Sequence, residues 1–424
     1  MFFACGMQQR RLLVLVVTAF AAVLVSSCGG GGGSNEDSTA NTTTTGGGEQ
    51  ASEDALNAAL KKSFEESGAP GVVAAVQTPE YTWIRALGVA DRTSEDPMTP
   101  DVHHRIGSAT KPLTGTLLLQ AEAEGLLSLD DTIDRYVHGV PNGDKITLRQ
   151  MADMTSGLAN YSETKQFDGD PGADPYKVWK PEELAQIGIA DSPAFDPGTE
   201  FAYSNTNTVL LGLVLEQVTG ESIGELYRER IIEPLGLKDT SFPDTSDTSL
   251  PEPHAQGYTL QGQSSGAQPV DATDWNVSWT WTAGGMISTV DDLLVYGRAL
   301  GTGKGLLSPA QQDERIASLV SDVPPLNQPP FKGDFGYGLG LMKEHEWIGH
   351  SGVVPGYNTS LFYQPELDAV VVVEVNSDIS SGDCPEARPT MTDGPQGIPC
   401  SEPAMRIFRA LAEALGKPAP AADQ

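Results

Sequence analysis

Residues 369–376, Ala369-Val370-Val371-Val372-Val373-Glu374-Val375-Asn376, read as a β-strand too apolar to lie at an open surface. Two further strand-like runs, 347–350 and 359–363, come just before it. Near the other end of the chain, 72–77 and 81–89 read as a hairpin turning at Pro79-Glu80. Amphipathic helices flank both groups: 52–67, with Leu56, Ala59, Leu60 and Phe64 on one face, and 403–415. Residues 113–124 are apolar over much of the helical circumference, the mark of a buried central helix. From about 125 to 280 the pattern is short helices and long loops, with Pro/Gly clusters at 141–144, 169–175 and 193–198, and 291–300 is helical again. Strands at both ends with helices between predict an α+β fold, one sheet assembled from the two termini with a helical insertion. The sheet part is expected over about 52–110 and 280–415, the helical part over about 111–279, and a tail over 416–424.

The chain of 424 residues is 39% hydrophobic, with 6 Trp, 11 Tyr and 12 Phe, which is enough to bury a sizeable core. Its net charge of −31 argues against nucleic acid or an anionic membrane surface as a partner, since both demand basic patches. Residues 1–27 read as a signal peptide: Arg10 and Arg11, an apolar run over 12–25, then Ser26 and Ser27 before Cys28. The run is too short for a comfortable membrane span. Leu24-Val25-Ser26-Ser27-Cys28 resembles a bacterial lipobox, which makes Cys28 the lipidated first residue of an exported, membrane-anchored lipoprotein of the cell envelope. An ordinary secretory signal is the alternative. The Gly/Ser/Thr-rich stretch 28–51 suits a tether. Cys5 leaves with the presequence, so Cys384 and Cys400 remain as a pair in a compartment that permits disulfides. A Cys384–Cys400 bridge is expected, stapling a Pro/Gly-rich stretch. Zinc is the weaker alternative, because no His neighbours either cysteine and two thiols do not fill a tetrahedral site.

Three short motifs carry chemistry. In Ser108-Ala109-Thr110-Lys111 the serine and lysine stand at i and i+3, on one helix face, so the amine can approach the hydroxyl. Pro112 belongs in the first turn of a helix, which puts Ser108 at or near the helix N-terminus, among free N–H groups. A lysine acting as base must be neutral part of the time, and burial would lower its pKa. A second copy, Ser162-Glu163-Thr164-Lys165, lies in a polar loop with no apolar helix after it and reads as a decoy. In Tyr203-Ser204-Asn205, expected in a loop, the tyrosine hydroxyl can relay a proton and Asn205 can hydrogen-bond a substrate amide. In His350-Ser351-Gly352, at the end of a strand, the glycine allows close backbone approach, and the N–H of Val353 can join that of Ser108 as a second oxyanion donor. No paired His or acid stands at metal-ligand spacing, so neither a metal nor an organic cofactor is expected.

The ordered set S-x-x-K, Y-x-N and H-x-G resembles the serine β-lactamase and penicillin-binding-protein superfamily, nearest to its exported D-alanyl-D-alanine carboxypeptidases and class C β-lactamase-like hydrolases. The resemblance spans roughly 55–415 and takes in Arg105-Ile106-Gly107, Thr155-Ser156-Gly157-Leu158, Pro197-Gly198, His254-Ala255-Gln256-Gly257-Tyr258, Ala283-Gly284-Gly285-Met286-Ile287-Ser288-Thr289 and Phe335-Gly336-Tyr337-Gly338-Leu339-Gly340-Leu341. It implies an antiparallel sheet flanked by helices plus a mostly helical domain. It implies that Ser108 forms an acyl-enzyme, that Lys111 and Tyr203 move protons, and that His350 stands where other members have lysine and polarises the site. Trp279, within Val277-Ser278-Trp279, would line the cleft, and Asn205, Ser351, Gly352 and Val353 would contact substrate.

Two departures bear on the substrate. Where some peptidases of this kind carry a carboxylate-binding arginine after the Gly-Leu-Gly-Leu strand, this chain has Met342 and then Lys343. The residue after His-x-Gly, often threonine, is Val353. The reading is a serine hydrolase, a D-alanyl-D-alanine carboxypeptidase-like peptidase acting on peptidoglycan peptide. A β-lactamase or esterase on the same site is the alternative, and a non-catalytic penicillin-binding or scaffold lipoprotein is the alternative of another class.

Overall fold

The computed structural model describes residues 51–167, 174–264, 266–319, 324–325, 335–385, 388, 390–391 and 394–420. The signal segment, Cys28 and the tether up to residue 50 lie outside the described residues. Seven strands form the main sheet: β1 (Gly71–Gln77), β2 (Thr82–Gly88), β3 (Phe335–Gly338), β4 (Leu341–Glu344), β5 (Trp347–Val354), β6 (Tyr357–Gln364) and β7 (Ala369–Val375). Their order is β2-β1-β7-β6-β5-β4-β3, and every pairing is antiparallel. The N-terminal hairpin thus adds to β7, which pairs with β1 on one side and β6 on the other. All seven residues of β7 are buried, as its unbroken apolar run requires.

Strand alternation sorts the sheet into two cores. Val371, Val373 and Val375 face α1 (Glu53–Ser67) and α5 (Pro403–Ala414), through Leu56, Leu60, Phe408 and Leu411. Val370 and Val372 face the larger core, shared with α2 (Lys111–Ala123), α3 (Asn205–Thr219) and α4 (Val290–Thr302). Helix α2 is buried at ten of its thirteen positions, the central helix its composition predicts. Cys384 and Cys400 are bonded, closing a 16-residue separation near the start of α5.

Four elements differ from the reading of the sequence. Helix α3 is fifteen residues long and begins at Asn205, so Tyr203 and Ser204 end a loop while Asn205 starts a helix. Its face is hidden from periodicity because Thr206–Leu215 is buried almost all round. Strand β5 runs on through Ser351, Gly352 and Val353 rather than ending at His350. Strand β3 is masked in the sequence by Gly336 and Gly338, β4 is only four residues long, and the turn between them carries Gly340, which has a packing reason. A Cβ on Gly340, whose φ is +74°, would stand 2.5 Å from the Lys111 carbonyl oxygen. A Cβ on Gly115 would stand 1.9 Å from the Leu339 carbonyl oxygen. The β3–β4 turn therefore lies directly on the backbone of α2. Gly115→Ala should cost about 1–3 kcal/mol of stability in urea unfolding, the usual penalty for overpacking. An unchanged unfolding midpoint would contradict this close approach.

Candidate active site

Ser108 sits in a 3₁₀ turn, Gly107–Thr110, that runs straight into α2 at Lys111, with Pro112 in the first turn. Gly107 adopts φ +53°, and a Cβ there would lie 2.7 Å from the Val353 nitrogen. A Cβ on Gly352 would lie 1.9 Å from the Ile106 carbonyl oxygen and 3.0 Å from the Ala109 nitrogen. Two missing side chains thus let the nucleophilic turn and β5 meet backbone to backbone. The β5–β6 hairpin closes with Val354 opposite Tyr357, so residues 352 and 354 bond toward β6 and 353 bonds outward. Strand β4 covers only 347–349 of β5, which leaves the Val353 N–H on an open edge against the turn. With the N–H of Ser108 it makes a pair of donors suited to an oxyanion.

Lys111 is 1% exposed. Its Nζ lies 3.0 Å from Ser108 Oγ and 2.7 Å from the Ala283 carbonyl oxygen, and 4.7 Å from the centre of the Tyr203 ring. Among the described residues it makes no ion pair. Burial drives its pKa well below the ordinary lysine value, so the amine can sit neutral and accept the serine proton. The Tyr203 hydroxyl is buried and meets no partner in hydrogen-bonding geometry, although Ser108 is near enough to draw its pKa down. Burial wins and raises it, so Tyr203 stays a neutral hydroxyl that can pass a proton on but cannot serve as the base.

His350 joins this cluster without bringing a charge. Burial first, then the nearby Lys111, holds its pKa down to about 3. Its Nδ1 lies 2.5 Å from the Ser351 carbonyl oxygen, which can only accept, so Nδ1 carries the hydrogen. Its Nε2 then accepts from the Tyr337 hydroxyl at 3.0 Å. Both ring nitrogens are occupied. His350, expected to polarise the site as other members' lysine does, stands as a ring that burial holds neutral, with Tyr203 6.1 Å away between ring centres. Tyr337 carries a role that composition does not signal, apart from its place in the Phe335–Leu341 stretch.

The remaining candidates separate. Asn205 Nδ2 donates to Ser162 Oγ at 3.2 Å, and Ser162 Oγ donates to Asn160 Oδ1 at 3.0 Å. Ser162 thus borders the site as a support for Asn205, while Lys165 is exposed and no base for it. The Trp279 carbonyl accepts from Tyr161, and its buried indole N–H has no hydrogen-bond partner among the described residues. The side chains of Ser351 and Val353 are half-buried and alternate with those of His350 and Gly352. Met342 packs on the α1/α5 face of the sheet, so Lys343 shares the opposite, catalytic face with Leu341.

Residues 56–393 match the family model described as Beta-lactamase. A D-aminopeptidase of Cereibacter sphaeroides is 28% identical over 340 residues, covering 77% of this chain. The chain spans 61% of that relative's length. A D-stereospecific amidohydrolase from Streptomyces sp. is 33% identical, covering 76% of this chain and 94% of the other, with a TM-score of 0.67. A D-amino acid amidase from Ochrobactrum anthropi SV3, solved with L-phenylalanine amide, is 26% identical, covering 85% and 99%, with a TM-score of 0.66.

Two outcomes follow from the protonation states. The rate of Ser108 acylation by a fluorophosphonate should rise with pH as Lys111 deprotonates, and level off below the range where an ordinary lysine titrates. A rise that continues through that range would mean that Lys111 is charged in the resting site. Tyr337→Phe, which leaves His350 Nε2 unpaired, should slow acylation about tenfold, the scale of one lost buried hydrogen bond. A wild-type rate would remove the Tyr337–His350 pair from the mechanism.

Proposed function

The chain belongs to the beta-lactamase family of serine hydrolases, and we propose that it is an amidase or peptidase acting on D-amino acid derivatives through an acyl-enzyme on Ser108. The observation that carries this reading is the buried Lys111 amine, which makes no ion pair among the described residues and lies 3.0 Å from Ser108 Oγ. Lys111 takes the Ser108 proton as Oγ bonds to the substrate carbonyl carbon, and the N–H groups of Ser108 and Val353 hold the oxyanion. Lys111 returns the proton by way of the Tyr203 hydroxyl to the leaving nitrogen, and the carbon–nitrogen bond breaks. Water then attacks the ester, Lys111 accepts its proton, and Ser108 Oγ leaves and is reprotonated. The D-configuration and the amide or peptide bond are supported by the names of the relatives: a D-aminopeptidase, a D-stereospecific amidohydrolase and a D-amino acid amidase.

A narrower reading, D-alanyl-D-alanine carboxypeptidase, rests on Lys343, a cation on the catalytic face of β4. A single ammonium lacks the two-pronged grip of an arginine on a carboxylate, so the amidase reading is preferred. Export and anchoring through a lipid on Cys28 belong to the same proposal, supported by the basic, apolar and small-residue pattern ahead of that cysteine. Cys28→Ala should move the protein from the membrane fraction to the soluble exported fraction, and an unchanged distribution would contradict the anchor.

The purified protein incubated with D-alaninamide, D-phenylalaninamide, a D-Ala-D-Ala peptide and a chromogenic cephalosporin should release ammonia from the D-amides and not from their L-forms. Turnover of the cephalosporin alone, or equal turnover of both enantiomers, would overturn the proposal. Ser108→Ala should abolish turnover and the fluorophosphonate adduct together, whereas Ser162→Ala should keep the adduct.

A further inference from the structure

The Tyr203 hydroxyl meets no partner in hydrogen-bonding geometry among the described residues, so its placement falls to the packing of its ring and to the backbone on either side. Both flanking N–H groups end on one residue. Ala202 N donates to the Met154 carbonyl oxygen at 3.1 Å, and Ser204 N donates to the Met154 sulfur, Sδ, at 3.5 Å. The same sulfur accepts from Asn207 Nδ2 at 3.4 Å, and Asn207 Oδ1 accepts from Ser156 Oγ at 2.7 Å. Met154 stands just before Thr155-Ser156-Gly157-Leu158, a stretch that takes no part in the acyl-transfer steps.

Met154 occupies a backbone position that favours glycine. It follows the short helix Leu148–Ala152 and its cap Asp153, with φ +64°. Thr155 N donates to the Gln150 carbonyl at 2.9 Å and Met154 N to that of Met151 at 3.3 Å, the pair of bonds that ends a helix in a left-handed residue. A side chain is strained there, which is why glycine is usual. Here a methionine keeps its side chain, 1% exposed, and aims it at two N–H donors. A thioether is a weak acceptor, but a buried N–H with none costs more. The helix before Met154 also reaches the base. Gly340 N donates to the Ala152 carbonyl at 3.0 Å, and Gly340 lies against the Lys111 carbonyl. Met154 therefore ties both flanks of Tyr203 to the frame that holds Lys111.

We propose that Met154 is a positioning residue for the Tyr203 relay: its carbonyl and its sulfur hold the backbone on the two sides of Tyr203, and so hold the hydroxyl where it can pass a proton to the leaving nitrogen. This rests on the reading of the chain as an amidase or peptidase acting through Ser108.

The test uses the full-length protein with D-phenylalaninamide and the nitrophenyl ester of D-phenylalanine, which share an acyl group. The amide nitrogen must take a proton to leave, whereas nitrophenolate leaves without one. The placing of the relay is read in the ratio of amide to ester kcat/KM, from which the amount of folded enzyme cancels. Met154→Leu, which fills similar space without an acceptor, should lower that ratio at least about fivefold, the scale of one lost hydrogen bond. Met154→Gln, whose side-chain oxygen restores an acceptor, should keep the ratio within about twofold, and it decides the matter alone if the leucine variant does not fold. In a Tyr203→Phe background, Met154→Leu should lower the ratio no further. A wild-type ratio in Met154→Leu, a ratio about fivefold lower in Met154→Gln, or an undiminished effect in the Tyr203→Phe background would overturn the positioning role, and amide turnover by the wild-type protein would leave the amidase reading intact. A wild-type protein that turns over the ester and not the amide would sink the amidase reading, and the positioning role with it.

Discussion

The site is organised around a lysine amine buried without a carboxylate. An ammonium taken out of water without a paired acid costs several kcal/mol, roughly, even after relaxation. Lys111 instead meets two oxygens, Ser108 Oγ and the Ala283 carbonyl, and the face of Tyr203. These are partners a neutral amine can satisfy. The helix that carries Lys111 is buried along most of its length, and so is the amine itself, which disfavours its charged form. The same burial raises Tyr203 and lowers His350, which leaves the catalytic cluster a set of neutral groups. One environment therefore suits the lysine to its proposed role as base and the tyrosine to its proposed role as relay, and keeps the histidine ring neutral.

Backbone packing maintains that environment. Gly340 and Gly115 let the β3–β4 turn lie on α2, and Gly107 and Gly352 let β5 lie on the turn before it. A side chain at any of the four would have to displace backbone atoms. Helix α2 is held from both sides at the height of Ser108 and Lys111. The outward N–H of Val353 comes from the same arrangement, since the close approach leaves the β5 edge facing the nucleophile and β4 stops short of it.

Much of this was legible in the residues. The unbroken apolar run of β7 forecast a strand buried on both faces, and the strands at the two ends of the chain forecast a sheet shared by the termini. Pro112 placed the helix start and so chose Ser108 over Ser162. What stayed hidden depends on three-dimensional surroundings. Strand β3 carries glycines where a pattern of apolar residues would announce it, and the turn after it carries Gly340 because the backbone there touches α2. Helix α3 shows no stripe because it is buried almost all round. The charge of His350 is a matter of burial and of Tyr337, thirteen residues away in sequence. The tie from Asn205 to Ser162 depends on how a loop folds back, which no spacing reveals.

The neutral lysine can be observed directly. With lysine labelled at Cε, the carbon shift of Lys111 can be followed by NMR across pH, assigned by its loss in Lys111→Met. The account predicts that Lys111 titrates well below the ordinary lysine range. A Lys111 signal that titrates together with the exposed lysines would contradict it, because the base beside Ser108 would then be charged at every working pH.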